Sequence, residues 1–448
     1  MLTILALLTV ASGAVVEREP LRIGLSRLPL SLEKRGEPLT STNYGSTLHM
    51  NISVGTPEQN LLVPIVIGDF SDMLVLATPA VGDPNPNAGN RTLFDPSASS
   101  TFELGGATVF YGLRSQPSVG TAAQDTVRVG PVSLPKQPML MANVTDFDQV
   151  MNIKRGTLGM AGFSPTSGFG LDLAAAAGGN EIGLFVTPSS SRLGAWSYGL
   201  NAGEMSLGGL NRYLYTGNIS YCDVVNPENW IVALEGLKVN NISVPVVLDP
   251  PPAKAPTVWL APDFNGIFLR KTLADLVFAL IPGSSSVYDA PLEETRWYAP
   301  CDTTATVSLV LGGQEYALPA KRWLTGEVFG SSGSCATLFR SYVQSANSSS
   351  MLIGLPFAST VYTVLKFGTT PQIGFAPLSP AALAHAPEQA ANPGDKPTGA
   401  IPSGRSSTAS AAPVSTGAGG TPVPSDGTRA RALQLSWLIA VALTLHFL

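Results

Sequence analysis

From residue 44 to about residue 380, short apolar runs rich in Val, Ile, Leu, Tyr and Phe are cut by clusters of Gly, Pro, Asn and Ser at roughly ten-residue spacing. Runs of that length suit strands, so the pattern predicts an all-β protein. Helical periodicity is confined to residues 171–177 and 273–281. A chain of 448 residues has room for two or three domains at about 150 residues each, with a large core.

The two ends of the chain read differently from this middle. Residues 1–14, MLTILALLTVASGA, form an apolar stretch too short to span a bilayer and end in small residues, the pattern of a signal peptide. Residues 15–35 form a propeptide-like segment closing on the dibasic pair Lys34-Arg35. Residues 385–431 are rich in Pro, Ala, Gly, Ser and Thr with almost no aromatics, so they predict a disordered stalk. Residues 432–448 are nearly all apolar, and a small-residue stretch and polar spacer precede them. That order is a GPI-attachment signal, which predicts a secreted chain held at the cell surface or cell wall through a membrane anchor.

Other features agree with an extracellular route. Asn-x-Ser/Thr sequons occur at Asn51, Asn90, Asn143, Asn218, Asn241 and Asn347. Cys301 and Cys335 are close enough in sequence to close a disulfide loop, and Cys222 is left as an odd thiol, read as a small buried apolar residue. Charged residues are 13% of the chain and the net charge is -5, so no basic face is expected for nucleic acid. Of three histidines, His446 lies in the tail, His385 begins the stalk, and His49 is expected on a strand facing solvent or a cleft edge. That inventory argues against a His-based triad or a multi-histidine zinc site, so no metal and no cofactor are expected.

The most telling local motif is in residues 44–75, YGSTLHMNISVGTPEQNLLVPIVIGDFSDMLV. Gly55-Thr56-Pro57-x-Gln59 followed by an apolar strand resembles the opening of the pepsin-like aspartic peptidases (peptidase A1), here of a GPI-anchored fungal type. The resemblance continues through Phe110-Tyr111-Gly112, similar to the family's flap, and Gly156-Thr157-Leu158-Gly159. It extends through Gly203-Glu204-Met205-Ser206-Leu207-Gly208-Gly209 and Met351-Leu352-Ile353-Gly354, to Ile373-Gly374-Phe375. It implies a bilobal fold with a cleft between two β-barrel-like lobes, at 44–215 and 216–380. Tyr111 and Gly112 would cover that cleft, and Cys301 and Cys335 would form the second-lobe disulfide.

Where the family has its first catalytic Asp-Thr-Gly, counting back from Asp72 puts Ile67 at the aspartate position, with Asp69 two residues on. The second motif is read at Val246-Val247-Leu248-Asp249, followed by Pro250-Pro251-Pro252 in place of Thr-Gly-Thr. Proline offers neither an amide hydrogen nor a free φ there. Catalysis in this family rests on two carboxylates sharing one proton about 3 Å apart, and an isoleucine cannot ionise. The leading expectation is a pseudopeptidase with degenerate motifs that keeps a cleft for a peptide or protein ligand. The alternatives are an acid endopeptidase using Asp249 with Asp69, and an inhibitor or binding module on the same scaffold. A monomer is expected. Arg22 and Arg27 read either as remnants of propeptide pairing with cleft carboxylates or as solvated charges.

Overall fold

The computed structural model of the protein describes residues 20–27, 48–67, 73–76, 93–113, 116–142, 159–187, 199–246, 256–262, 264–290, 293–329, 333–342 and 350–384. Asp69, Asp249, Asn90, Asn143, Asn347, Lys34-Arg35, the signal segment, the stalk and the tail lie outside these residues. The described residues belong to one compact unit, Met1–Gly394.

The all-β expectation holds. After β1 (Leu21–Arg27) come β2 (Leu48–Val54), β3 (Gln59–Ile67), β4 (Met73–Leu76) and β5 (Glu103–Leu113). These are followed by β6 (Gln116–Val129), β7 (Val132–Ala142) and β8 (Gly159–Phe163). Pairing runs β2, β3, β8, β4, β7, β6 and returns to β2, so six strands close on themselves while β5 forms a hairpin with β6. Closure satisfies strand edges that would otherwise be open. In β2, Met50, Ile52 and Val54 are buried while Asn51 is exposed, the two-residue period of a half-buried strand. His49 departs from that period and from the solvent-facing expectation: it is 2% exposed. Leu48 and Met50 on either side of it are buried as well, so both faces of β2 are covered over its first three residues, where β1 and β3 flank it.

Three more strands are β9 (Glu181–Val186), β10 (Gly199–Leu207) and β11 (Ser220–Asn226). The later part of the chain adds β12 (Asn229–Ala233), β13 (Gly236–Val239), β14 (Ile242–Val244), β15 (Thr257–Leu260), β16 (Ile267–Phe268), β17 (Ser285–Asp289) and β18 (Glu294–Pro300). It continues with β19 (Thr306–Leu311), β20 (Gln314–Pro319), β21 (Leu324–Phe329), β22 (Ser334–Tyr342) and β23 (Ser350–Ile353), then β24 (Val361–Lys366) and β25 (Gln372–Pro377). Strands β12, β15, β23, β16, β22, β18 and β17 pair in that order, with β21 also on β22. A separate sheet has the order β14, β13, β19, β20.

Between these assemblies runs a central antiparallel sheet in the order β1, β10, β9, β24, β25, β11. It joins strands from both sides of residue 215. Leu25 of β1 is fully buried, so the strand preceding Lys34-Arg35 is part of the core. Gly183 of β9 lacks a side chain where the hydroxyl of Tyr362 passes on its way to the Ser206 hydroxyl, 3.1 Å away.

Two helices match the periodic stretches: α1 (Phe169–Ala176) and α2 (Lys271–Ala279). Helix α2 buries Leu273, Ala274, Val277 and Phe278, one stripe at helical spacing. Phe278 stacks on Trp297 at 5.8 Å and meets Phe339 edge-on at 5.3 Å; each such buried ring contributes about 1.5 to 3 kcal/mol. Short helical turns occur at Ala320–Trp323 and Leu355–Ala358, and a last helix, labelled α3 (Pro380–Ala384), ends the described chain.

Candidate active-site cleft

The Gly55-Thr56-Pro57-x-Gln59 motif works as a clamp at the start of β3. Gly55 has φ +88, and a Cβ there would meet the Ser99 hydroxyl at 2.8 Å. The Gln59 amide donates to the Asp95 carbonyl at 2.8 Å and accepts from its amide at 2.7 Å. Asp125, fully buried, accepts from the Thr101 hydroxyl at 2.6 Å and from the Thr126 amide at 2.7 Å.

Strand β3 then runs to Ile67, which is 2% exposed and part of the main hydrophobic core. It lies beside β8 in parallel register, with Ile65 opposite Ala161 and Ile67 opposite Phe163. The Phe163 carbonyl accepts a 2.7 Å hydrogen bond from the indole of Trp230, itself fully buried on β12 and edge-on to Phe367 at 5.2 Å. Trp230 thus ties the later part of the chain to the strand beside Ile67. Sequence reasoning passed over it.

The pairing pattern around β3 recurs around β15. Strand β3 is parallel to β8, β8 is antiparallel to β4, and β4 is parallel to β7; Ala161 faces both Ile65 and Met73. Likewise β15 is parallel to β23, β23 is antiparallel to β16, and β16 is parallel to β22; Ile353 faces both Leu260 and Ile267. In each case a glycine follows the shared residue, Gly162 or Gly354. Gly354 also receives the second turn closely: its amide donates to the Gly266 carbonyl at 3.0 Å, and the Leu355 amide donates to the Phe264 carbonyl at 2.7 Å.

Met73 and Ile267 are therefore equivalent in register. Counting back four residues from each gives Asp69-Phe70-Ser71 and Asp263-Phe264-Asn265. Asp249, where the sequence alone places the second motif, precedes β15, whereas the turn equivalent to the one between β3 and β4 follows β15 and leads into β16. The signal that could have found Asp263 is the repeated Asp-Phe-Ser/Asn before an apolar strand. Asp69, Asp249 and Asp263 themselves are outside the described residues.

Tyr111 and Gly112 fall near the end of β5, opposite Ser118 and Pro117 of β6, in the hairpin expected for a flap. Cys301 and Cys335 form a disulfide with Cα atoms 4.9 Å apart. Cys222 is a free, buried thiol whose pKa burial pushes up to about 11. Asn51, Asn218 and Asn241 are exposed. Among the described residues no group of three or more His, Cys, Asp and Glu could hold a metal, and no helix is long and apolar enough to cross a membrane.

Residues 48–378 match the family model for eukaryotic aspartyl proteases, and the chain belongs to that family. Major aspartyl peptidase 1 of Cryptococcus neoformans var. grubii is 25% identical over 368 residues, 79% of this chain and 74% of that protein. An aspartic protease of Phaffia rhodozyma is 28% identical over 175 residues, 39% of this chain and 40% of that protein. Gastricsin of Callithrix jacchus is 25% identical over 346 residues, covering 72% and 80%.

Proposed function

We propose that this protein is a cell-surface aspartic endopeptidase whose two carboxylates are Asp69 and Asp263. The observation that carries the reading is the repeated strand pairing that makes Met73 and Ile267 equivalent, each four residues after an aspartate. In such a pair the ionised carboxylate takes a proton from water, which attacks the peptide carbonyl carbon, while the protonated partner donates to the carbonyl oxygen. Collapse of the tetrahedral intermediate expels the amine with a proton returned from the pair. Peptide lies in the cleft beneath the β5–β6 hairpin.

A second reading is the pseudopeptidase. Ile67, six residues before Met73, stands at the aspartate position of the family motif, and Ala261, equally six residues before Ile267, stands at the second. Both are apolar and buried and neither can ionise, which favours a weakened or lost reaction with peptide binding kept. One assay separates the two: cleavage of unstructured protein across about pH 3 to 7, with Asp69→Asn, Asp263→Asn and Asp249→Asn. The first two should each lose about 10²-fold or more, while Asp249→Asn stays near wild type. Wild-type protein that binds peptide without cutting it overturns the peptidase reading and leaves the pseudopeptidase.

In the same reading the chain is secreted, N-glycosylated and GPI-anchored. The exposed Asn51, Asn218 and Asn241 and the Cys301–Cys335 disulfide support that route. Release from cells by a phosphatidylinositol-specific phospholipase is the expected result, and retention after treatment would contradict the anchor.

A further inference from the structure

On one face of the central sheet, Gly24 of β1, Glu204 of β10 and Phe185 of β9 stand in one row across three strands. Nothing lies within 4 Å of where a Gly24 side chain would begin, which leaves room beside the glutamate. A cavity of about 370 Å³ opens here, lined by Arg22, Phe185, Thr187, Glu204, Asn211 and Tyr213, with Ala381 of α3 at its edge. The volume suits a small organic molecule.

The walls are built rather than incidental. Asn211 is 2% exposed; its side-chain amide donates to Glu204 Oε1 at 2.7 Å, and its carbonyl oxygen accepts from the Tyr213 amide at 3.1 Å. The Ser206 hydroxyl also donates to Glu204 Oε1 at 3.4 Å. Both bonds hold one carboxylate oxygen, and Oε2 has no hydrogen-bond partner among the described residues. Arg22 stands two residues from Gly24 on the same face of β1, and its guanidinium sits over the Tyr213 ring at 5.8 Å from the centre. A carboxylate held by Asn211 and Ser206 and the exposed guanidinium of Arg22 therefore flank the rings of Phe185 and Tyr213.

We propose that this pocket binds a free α-amino acid with an apolar side chain, its ammonium on Glu204 Oε2, its carboxylate on Arg22 and its side chain against Phe185. An ammonium donates three hydrogens and a carboxylate accepts two forked ones, which matches these partners. The site shares no residue with the cleft segments described above, and it does not depend on whether the chain hydrolyses peptides.

The test is titration of the full-length chain with L-phenylalanine near neutral pH, read by calorimetry. Saturable binding with a dissociation constant on the order of 1 mM is expected for a ligand of this size. N-acetyl-L-phenylalanine, L-phenylalaninamide, and the variants Glu204→Gln and Arg22→Gln should each weaken it at least about tenfold. Ala381→Trp, a change at an exposed position on the rim, should block binding while leaving the thermal midpoint in place. Absence of saturable binding, equal binding of the acetylated ligand, or full affinity in folded Ala381→Trp protein would each overturn the proposal.

Discussion

Trp230 shows how much a single side chain can hold. Its indole satisfies the Phe163 carbonyl at 2.7 Å from a fully buried position, so Trp230→Phe keeps most of the apolar contact and leaves that carbonyl unpaired. A loss of about 1 to 3 kcal/mol is expected, measured as a shift in urea midpoint at unchanged slope. Cys222 carries a different prediction. Burial raises its pKa to about 11, so the native protein should resist thiol reagents at mildly alkaline pH and release one reactive thiol on denaturation. At this scale the sequence is legible where a residue type has few uses: Gln59 in the opening motif and Cys222 as a buried apolar group are both readable. The proposed Asp263 is not, because Asp249 sits on a more family-like apolar run and only the register of the neighbouring strands favours the other position. His49 misleads because one residue cannot announce that its half-buried strand is covered on both faces at that end.

For elements, alternation of apolar and polar residues carries strand identity well, and the two helices begin two residues before the periodic stretches that betray them, at Phe169 and Lys271. Pairing is another matter. Nothing in the local pattern of β8 says that it lies between β3 and β4, since that choice is made by side-chain packing between distant segments. The disulfide belongs to this scale too. It closes a loop of sequence separation 34 and joins the end of β18 to β22, so replacing Cys301 and Cys335 together with alanine should cost about 4 kcal/mol in the chain-entropy model. Differential scanning calorimetry of the double variant is the check; an unchanged midpoint would mean the loop is held without it.

Across the whole molecule, the response to acid follows from carboxylates in separate places, a turn cap at Asp95 and strands at Glu103 and Glu315. The Ser97 hydroxyl and amide hold Asp95 below its usual 3.8, while Lys136 and Gln124 hold Glu103, and Lys238 and Ser308 hold Glu315, below their usual 4.5. Groups with lowered folded pKa values add stability above those usual values and lose it as pH falls through the folded ones. Stability should therefore decline in the most acidic part of the range, detectable as a falling denaturant midpoint below about pH 4 and reversed on return to neutrality. Composition makes the fold class readable and the family resemblance supplies the two-lobed plan, yet the six-strand central sheet is invisible because its members come from three widely separated stretches, 21–27, 181–226 and 361–377.

That sheet has a consequence for how the protein is made. Strand β9 finds its neighbour β24 only after roughly 175 further residues have left the ribosome, an interval of about 10 to 35 s at ordinary synthesis rates. Throughout it, Ile182, Leu184 and Val186 wait on an unzipped border, the kind of surface that invites sticking to other nascent chains. A chaperone that holds the nascent chain, or faster synthesis between Val186 and Val361, would shorten or shield that exposure and raise the yield of folded protein.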